Sequence, residues 1–254
     1  MAEWKFDNSI LNYEVIGKGT PIIFLHGWGH SGGVFNPIAD NLKNRFCSYL
    51  IDLPGFGSST LTPAHWNSND FGMLIKRFIE ALDLKEVVII GHSFGGKIGA
   101  LAANMIKDRV KKLVLIDSAG IRQTITFEKF LKIYMFKTTR MIKNSGILFK
   151  FGDKIYDKIE RFSGSTDYLN AGKMKNILKT VVREDITSEL SKVRCPTLIL
   201  WGEKDIATPV KDAYKMNKLI KGSKLIIYPN AGHHLPIESP HQVAHHIKEF
   251  LSKE

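Results

Sequence analysis

Cysteine is the scarcest chemistry-bearing residue in this 254-residue chain. Cys47 and Cys195 are the only two, too few for a disulfide framework. Each lies beside an apolar, strand-like run without a metal-ligating neighbour. They read as buried free thiols, which implies the cytoplasm. Long apolar runs are missing too: none approaches the roughly 18 residues of a membrane span, and Met1-Ala2-Glu3-Trp4-Lys5 lacks the pattern of a secretory leader. There is no internal repeat, low-complexity tract or nucleic-acid motif. Acidic residues are in short supply, 25 against 36 Lys and Arg, for a formal charge of +11. Without an Arg/Lys-rich tail, nucleic acid is not an expected partner, and most of the excess reads as a solvated lysine-rich surface.

What remains is an ordinary globular composition, 44% hydrophobic and 24% charged, able to bury a substantial core. Leu11 to Ile16 alternates, and Gly17-Lys18-Gly19 then reads as a hairpin turn into Ile22-Ile23-Phe24-Leu25. Further short apolar runs follow at Ser48–Ile51, Val87–Ile90, Lys112–Ile116, Thr197–Trp201 and Leu225–Tyr228, with helical periodicity over Phe71 to Leu82. Strands of four or five apolar residues alternating with helices predict an α/β fold with a mostly parallel sheet covered on both faces. From about Ile121 to Leu190 the rhythm breaks. That stretch is helical in pattern and rich in aromatics. It is expected to be a helical cap, residues 121–190, inserted into a core made of residues 1–120 and 191–254.

Gly91-His92-Ser93-Phe94-Gly95 joins an apolar strand to a small-residue helix. A serine on so sharp a turn has its hydroxyl thrust outward, and side chains at Gly91 and Gly95 would collide across the turn. Serine alone is a weak nucleophile, so the reading needs a base, an acid and an oxyanion site. In an open parallel sheet, functional groups collect at the carboxyl ends of strands. Four such ends carry His26-Gly27-Trp28-Gly29, the Ser93 turn, Gly202-Glu203-Lys204-Asp205 and Asn230-Ala231-Gly232-His233-His234. The chain order serine, acid, histidine matches a nucleophile-elbow hydrolase.

Together with Asp52-Leu53-Pro54-Gly55-Phe56-Gly57-Ser58-Ser59 and Glu238-Ser239-Pro240, these stretches resemble the α/β-hydrolase superfamily over nearly the whole chain. The resemblance implies Ser93 as nucleophile, Asp205 as acid and His233, directly after the glycine, as base in preference to His234. Asp117, another strand-end acid, is the alternative acid. Backbone N–H groups of Trp28 and Phe94 are the expected oxyanion donors. His26, His92, Phe127 and Tyr134 are the expected substrate-binding residues. The chemistry needs no metal and no organic cofactor. Ser93 sets the chain apart from haloalkane dehalogenases and epoxide hydrolases of this fold, which use aspartate at the elbow. The expected activity is hydrolysis of carboxylic esters of small to medium acyl groups. Carbon–carbon bond hydrolysis, acyl transfer and a non-catalytic ligand-receptor role remain alternatives.

Three weaker signals complete the reading. His241 and His245 stand one helical turn apart with His246 beside them, but Gln242 replaces the glutamate of a zinc-binding His-Glu-x-x-His, so a surface helix is expected. Asp52 and the glycine-rich run after it read as a strand-terminating turn. Between Glu128 and Asp153 no acid occurs while Lys129, Lys132, Lys137, Arg140, Lys143 and Lys150 do. A basic helix face there would suit an acidic carrier protein. The His26 and Asp52 segments also resemble carboxylesterases that cleave pimeloyl-carrier methyl esters, although those enzymes carry Trp where this chain has His92.

Overall fold

In the computed structural model, which describes residues 1–61, 63, 65–122 and 171–252, eight strands form one sheet. They are β1 (Ala2–Phe6), β2 (Ser9–Gly17), β3 (Thr20–Leu25), β4 (Phe46–Ile51), β5 (Val87–His92), β6 (Val110–Ile116), β7 (Thr197–Gly202) and β8 (Lys224–Tyr228). Their order across the sheet is β1-β2-β4-β3-β5-β6-β7-β8. The six strands from β4 to β8 in that order run parallel, and β1 and β2 are antiparallel additions at one edge.

Alternation within the apolar runs explains why the middle of the sheet is covered twice. On β3, Ile22 and Phe24 enter one hydrophobic cluster while Ile23 and Leu25 enter the other, all four fully buried. One face is closed by α1 (Asn36–Leu42) and the C-terminal helix Pro240–Ser252, which bring Ile38, Val243 and Ile247 against Phe24 and Val114. The other is closed by α2 (Ser68–Ala81) and α3 (Phe94–Met105), through Phe71, Phe78, Ile98 and Leu101. Helix α2 starts where its sequence says it should. The Asn67 side chain accepts from the Asn69 and Asp70 amides, and the Asp70 carboxylate accepts from the Asn67 amide in return.

The glycine-flanked turn after β2 is not a hairpin turn. β2 and β3 do not pair, because β4 lies between them and pairs with both. The chain steps over the start of β4, with Lys18 N–H donating to Lys43 O at 3.3 Å and Thr20 N–H to Arg45 O at 3.3 Å. A tight Gly-x-Gly turn reports only that the chain reverses. An apolar β4 buried on its faces claims the slot between the two arms. The true hairpin is β1–β2, around Asp7-Asn8, with Phe6 opposite Ser9.

Most of the expected cap, including Phe127, Tyr134 and the basic run from Lys129 to Lys150, lies outside the described residues. Its final part is helical: a short turn Gly172–Met174, then α4 (Lys175–Val181) and α5 (Thr187–Leu190). Met174, Ile177, Leu178, Val181 and Leu190 are buried in the same cluster as Trp28 and Phe94. The buried Lys97 Nζ on α3 donates to Val181 O and lies 3.6 Å from the Glu184 carboxylate, which in turn accepts from the Ser68 amide and hydroxyl. This stretch is therefore fastened to the core beneath the Ser93 helix. Helices α6 (Val210–Leu219), α7 (Leu235–Glu238) and α8 (Pro240–Ser252) complete the described chain.

Candidate active site

Ser93 stands between β5 and α3 with φ 51° and ψ −113°, a backbone conformation that a non-glycine residue holds only under constraint from its surroundings, at a cost of about 1–3 kcal/mol. The constraint is visible. Ser93 N–H donates to Ile116 O on β6 at 2.9 Å, and Ser93 O accepts from the amides of Gly96, Lys97 and Ala119 at 3.0–3.2 Å. The two flanking glycines serve different contacts. A Cβ on Gly91 would overlap the Gly95 carbonyl across the turn, whereas one on Gly95 would overlap the Leu25 and His26 carbonyls at the end of β3. The second glycine thus lets the nucleophile turn sit against the neighbouring strand.

The end of β8 supplies the partner. Gly232 and His234 N–H both donate to the Glu238 carboxylate, at 2.6 and 3.2 Å, which fixes the loop between them. His233 Nε2 lies 3.0 Å from Ser93 Oγ, and His233 Nδ1 lies 2.7 Å from Asp205 Oδ2. Asp205, on the loop after β7, is buried. Its Oδ1 accepts from the amides of Ala207 and Thr208 at 2.8 and 2.9 Å, and its Oδ2 accepts from the Thr208 hydroxyl at 2.6 Å. With Nδ1–H directed at Asp205, His233 Nε2 offers its lone pair to the serine hydroxyl. That is the tautomer a general base needs. Thr208 was not singled out from the sequence, where a threonine before a proline carries no catalytic signal. In the fold its hydroxyl touches Asp205 and comes within 3.3 Å of His233 Nδ1.

The second strand-end acid has other partners. Asp117 is wholly buried at the end of β6, where Gly202 N–H donates to Oδ1 at 2.8 Å and Leu235 N–H approaches Oδ2 at 3.4 Å. Its carboxyl ties the end of β7 to the segment after His233-His234. Burial pushes it up to about 8, helped by the charge of Asp205 and opposed by the two amides.

Around the elbow the expected contact residues take up definite positions. Phe94 opens α3, where helix geometry supplies no acceptor for the first amides, and its ring meets the Trp28 ring edge-on at 5.4 Å. The two segments expected to carry oxyanion donors are therefore side by side. His26 is fully buried: Nδ1–H donates to Gly27 O at 2.7 Å and Nε2 accepts from Leu53 N–H at 3.0 Å. Burial pulls it down to about 4, so it is neutral, and both nitrogens face backbone rather than an open pocket. His92 is buried as well, with Nε2–H donating to His233 O at 2.7 Å. Asp52 bridges two loops, accepting from Gly32 N–H and Ser58 N–H at 2.8 Å each. This is the turn-building role expected of it.

The three C-terminal histidines do not converge. His246 Nδ1 meets Tyr228 Oη at 2.6 Å, His245 faces Glu249 one turn along α8, and His241 lies 3.3 Å from Asn41. Among the described residues no group of three His, Cys, Asp or Glu side chains is arranged to hold a metal ion, and no helix there is long and apolar enough to cross a membrane.

Comparison with known proteins matches the sequence model of the alpha/beta hydrolase fold family over residues 20–240. Pimeloyl-[acyl-carrier protein] methyl ester esterase of Wigglesworthia glossinidia brevipalpis is 27% identical over 95% of this chain and 97% of its own length. A 2-hydroxy-6-oxo-6-(2'-aminophenyl)hexa-2,4-dienoic acid hydrolase of Metapseudomonas resinovorans is 29% identical over 95% and 87%. The solved structure of a thermophilic esterase from Thermogutta terrifontis shares the fold, with a TM-score of 0.70, 23% identity, and coverage of 96% of this chain and 93% of that one. The chain belongs to the α/β-hydrolase family.

Proposed function

We propose that this α/β-hydrolase cleaves carboxylic esters of small to medium acyl groups through Ser93, His233 and Asp205. The observation that carries the reading is the unbroken hydrogen-bonded line from Ser93 Oγ through His233 to Asp205, 3.0 and 2.7 Å, at the carboxyl ends of β5, β7 and β8. His233 Nε2 takes the Ser93 proton as Oγ attacks the acyl carbon. The amides of Trp28 and Phe94 receive the negative charge that develops on the carbonyl oxygen. Collapse breaks the bond to the leaving alcohol, which receives the proton from His233. Water, deprotonated by the same nitrogen, then attacks the acyl-enzyme and frees the acid and Ser93. Asp205, held in place by the donors of Ala207 and Thr208, accepts from His233 Nδ1–H and stabilises the imidazolium.

Aromatic packing beside the elbow makes its surroundings apolar, which favours an apolar acyl group. The Trp28 ring meets Phe56 at 4.9 Å and Phe94 at 5.4 Å, and Phe94 meets Phe71 at 5.1 Å. Similarity to a pimeloyl-carrier esterase and the acid-free basic run between Glu128 and Asp153 favour an acidic carrier protein as the bearer of the acyl group. Similarity to a hydrolase of a dienoic acid keeps carbon–carbon cleavage as the second reading.

The test is hydrolysis of a 4-nitrophenyl ester series from acetate to decanoate, with Ser93→Ala as control. Turnover that depends on Ser93 and peaks at one chain length is the expected result. No turnover above the control, with cleavage of a 2-hydroxy-6-oxo-dienoate instead, would replace the ester reading by the carbon–carbon one. Carrier docking predicts that a carrier-linked ester outruns the free ester at low salt and loses that advantage as salt rises. Equal rates on both at low salt would remove it.

A further inference from the structure

His92 immediately precedes the nucleophile, and its imidazole hydrogen-bonds to the base-bearing loop rather than to the Ser93 hydroxyl. The ring is 2% exposed and is enclosed by three segments that the chemistry needs in register. Its own backbone belongs to the elbow. Its Nε2–H donates to the carbonyl of His233 at 2.7 Å, on the base-bearing loop. Its Nδ1 faces the His26-Gly27-Trp28 turn: a Cβ at position 27 would stand 2.7 Å from Nδ1 and 3.3 Å from the Ser93 Cβ. Glycine at 27 is what leaves room for the ring. Nδ1 itself is buried and has no hydrogen-bond partner among the described residues.

We propose that His92 is the positioning residue of the base: its imidazole suspends the backbone of His233 from the elbow, and so sets the height of the His233 ring over Ser93. The inference rests on the hydrolase reading above and adds a residue to it. Three physical points support it. The tether reaches the main chain of His233 rather than its side chain, so it fixes the pivot about which that imidazole turns. It acts across 141 residues of sequence, linking the elbow to the base-bearing loop independently of the Ser93–His233 hydrogen bond, which opens and closes during turnover. Its donor state is also dictated by its surroundings. An Nδ1–H tautomer would turn the Nε2 lone pair onto the His233 carbonyl and bury an unused donor against Gly27.

The neighbouring groups hold that state constant. His233, His30 and His234 rings lie 5.1, 6.2 and 6.0 Å from His92, and no carboxylate among the described residues is hydrogen-bonded to it. Burial, and then the nearness of His233, drives its pKa well below 6.5. A neutral tether beside an imidazole that becomes cationic in every cycle adds no like charge to the transition state. A charged lysine or arginine in the same place would.

The experiment uses the full chain with an alkyl fluorophosphonate, which phosphonylates a serine activated by its base. Ser93 Oγ forms the P–O bond, fluoride leaves, and His233 takes the proton. His92→Leu, which deletes the donor, is expected to slow phosphonylation about 10- to 100-fold and to lower kcat on the best ester with KM unchanged. His92→Gln, whose amide nitrogen stands near the former Nε2, is expected to recover to within about threefold of wild type. Full-speed labelling of His92→Leu, or equal impairment of both variants while they unfold at the wild-type temperature, would overturn the proposal. Should neither variant fold, a long-range 1H–15N spectrum of the wild-type protein reads the same claim. His92 is expected to be neutral at neutral pH with its proton on Nε2; the other tautomer, or a doubly protonated ring there, would refute it. Fast Ser93 labelling of a wild type that turns over no ester would count against the ester reading alone and leave the His92 comparison standing.

Discussion

Asp117 and Asp205 are two buried aspartates at the ends of adjacent strands, and their environments differ in one respect that matters. Asp117 sits directly at the end of β6 and receives two backbone amides, from Gly202 and Leu235. Asp205 stands three residues beyond the end of β7 on a loop whose own donors, Ala207 N–H, Thr208 N–H and the Thr208 hydroxyl, converge on it while His233 takes the remaining side. The extra loop length moves one carboxylate outward to the base and leaves the other inside as a brace. Burial alone does not make an acid catalytic. Its reach to the base does.

The contrast is sharpest in turnover. Ser93→Ala and His233→Ala should each lower kcat by about 10⁶, and His234→Ala should change it less than about threefold, as measured with the best ester. A dead His234→Ala with an active His233→Ala would exchange the two histidines. Next, Asp205→Asn should cost about 10⁴ in kcat, because the neutral amide no longer fixes the Nδ1–H tautomer. Asp117→Asn should cost at most about tenfold, since an amide oxygen still accepts from Gly202. Equal losses for the two variants would erase the distinction between acid and brace.

The same pair separates again in the pH dependence of stability. The Asp117 carboxyl is raised from its ordinary 3.8 to about 8 by burial, so between those values the folded state holds a proton that the unfolded chain releases. Its contribution is complete below about pH 4 and is lost as pH rises through about 8. The urea midpoint of wild type relative to Asp117→Asn should therefore fall across that window. A difference that stays flat would contradict the buried, protonated state. His26 works in the opposite direction. Held neutral down to about 4 against an ordinary 6.5, it contributes stability above pH 6.5 that is lost as pH falls through about 4. A modest effect is expected at Thr208. Thr208→Val removes one of the donors on Asp205 and should lower kcat about tenfold, with KM unchanged.

Much of this was legible before any coordinates. The parallel sheet followed from short apolar runs such as Ile22–Leu25, whose neighbours face opposite clusters. The strand-end positions of Ser93, Asp205 and His233 followed from where those runs stop, and the fold brings the three within hydrogen-bond distance. Other features needed three dimensions. β1 is five residues alternating about Trp4, a pattern short enough to pass for a terminus, and it makes the hairpin expected one turn later. That later turn, Gly17-Lys18-Gly19, gives no sign that β4 enters between its arms. Thr208 gains its meaning only when the loop after β7 folds back on Asp205. His26 and His92 looked like pocket residues because they flank catalytic motifs. Both nitrogens of His26 and Nε2 of His92 instead meet backbone, a distinction that side-chain type alone does not carry.

The central claim is that Ser93 is an acylated nucleophile activated by His233 and Asp205. The most direct measurement is mass spectrometry of the protein quenched during turnover of its best 4-nitrophenyl ester, with the labelled peptide sequenced. The account predicts an acyl adduct on Ser93 that accumulates in wild type, is retained in Asp117→Asn, and is lost in Ser93→Ala and His233→Ala. An adduct on another residue, or ester turnover that persists in Ser93→Ala, would contradict it.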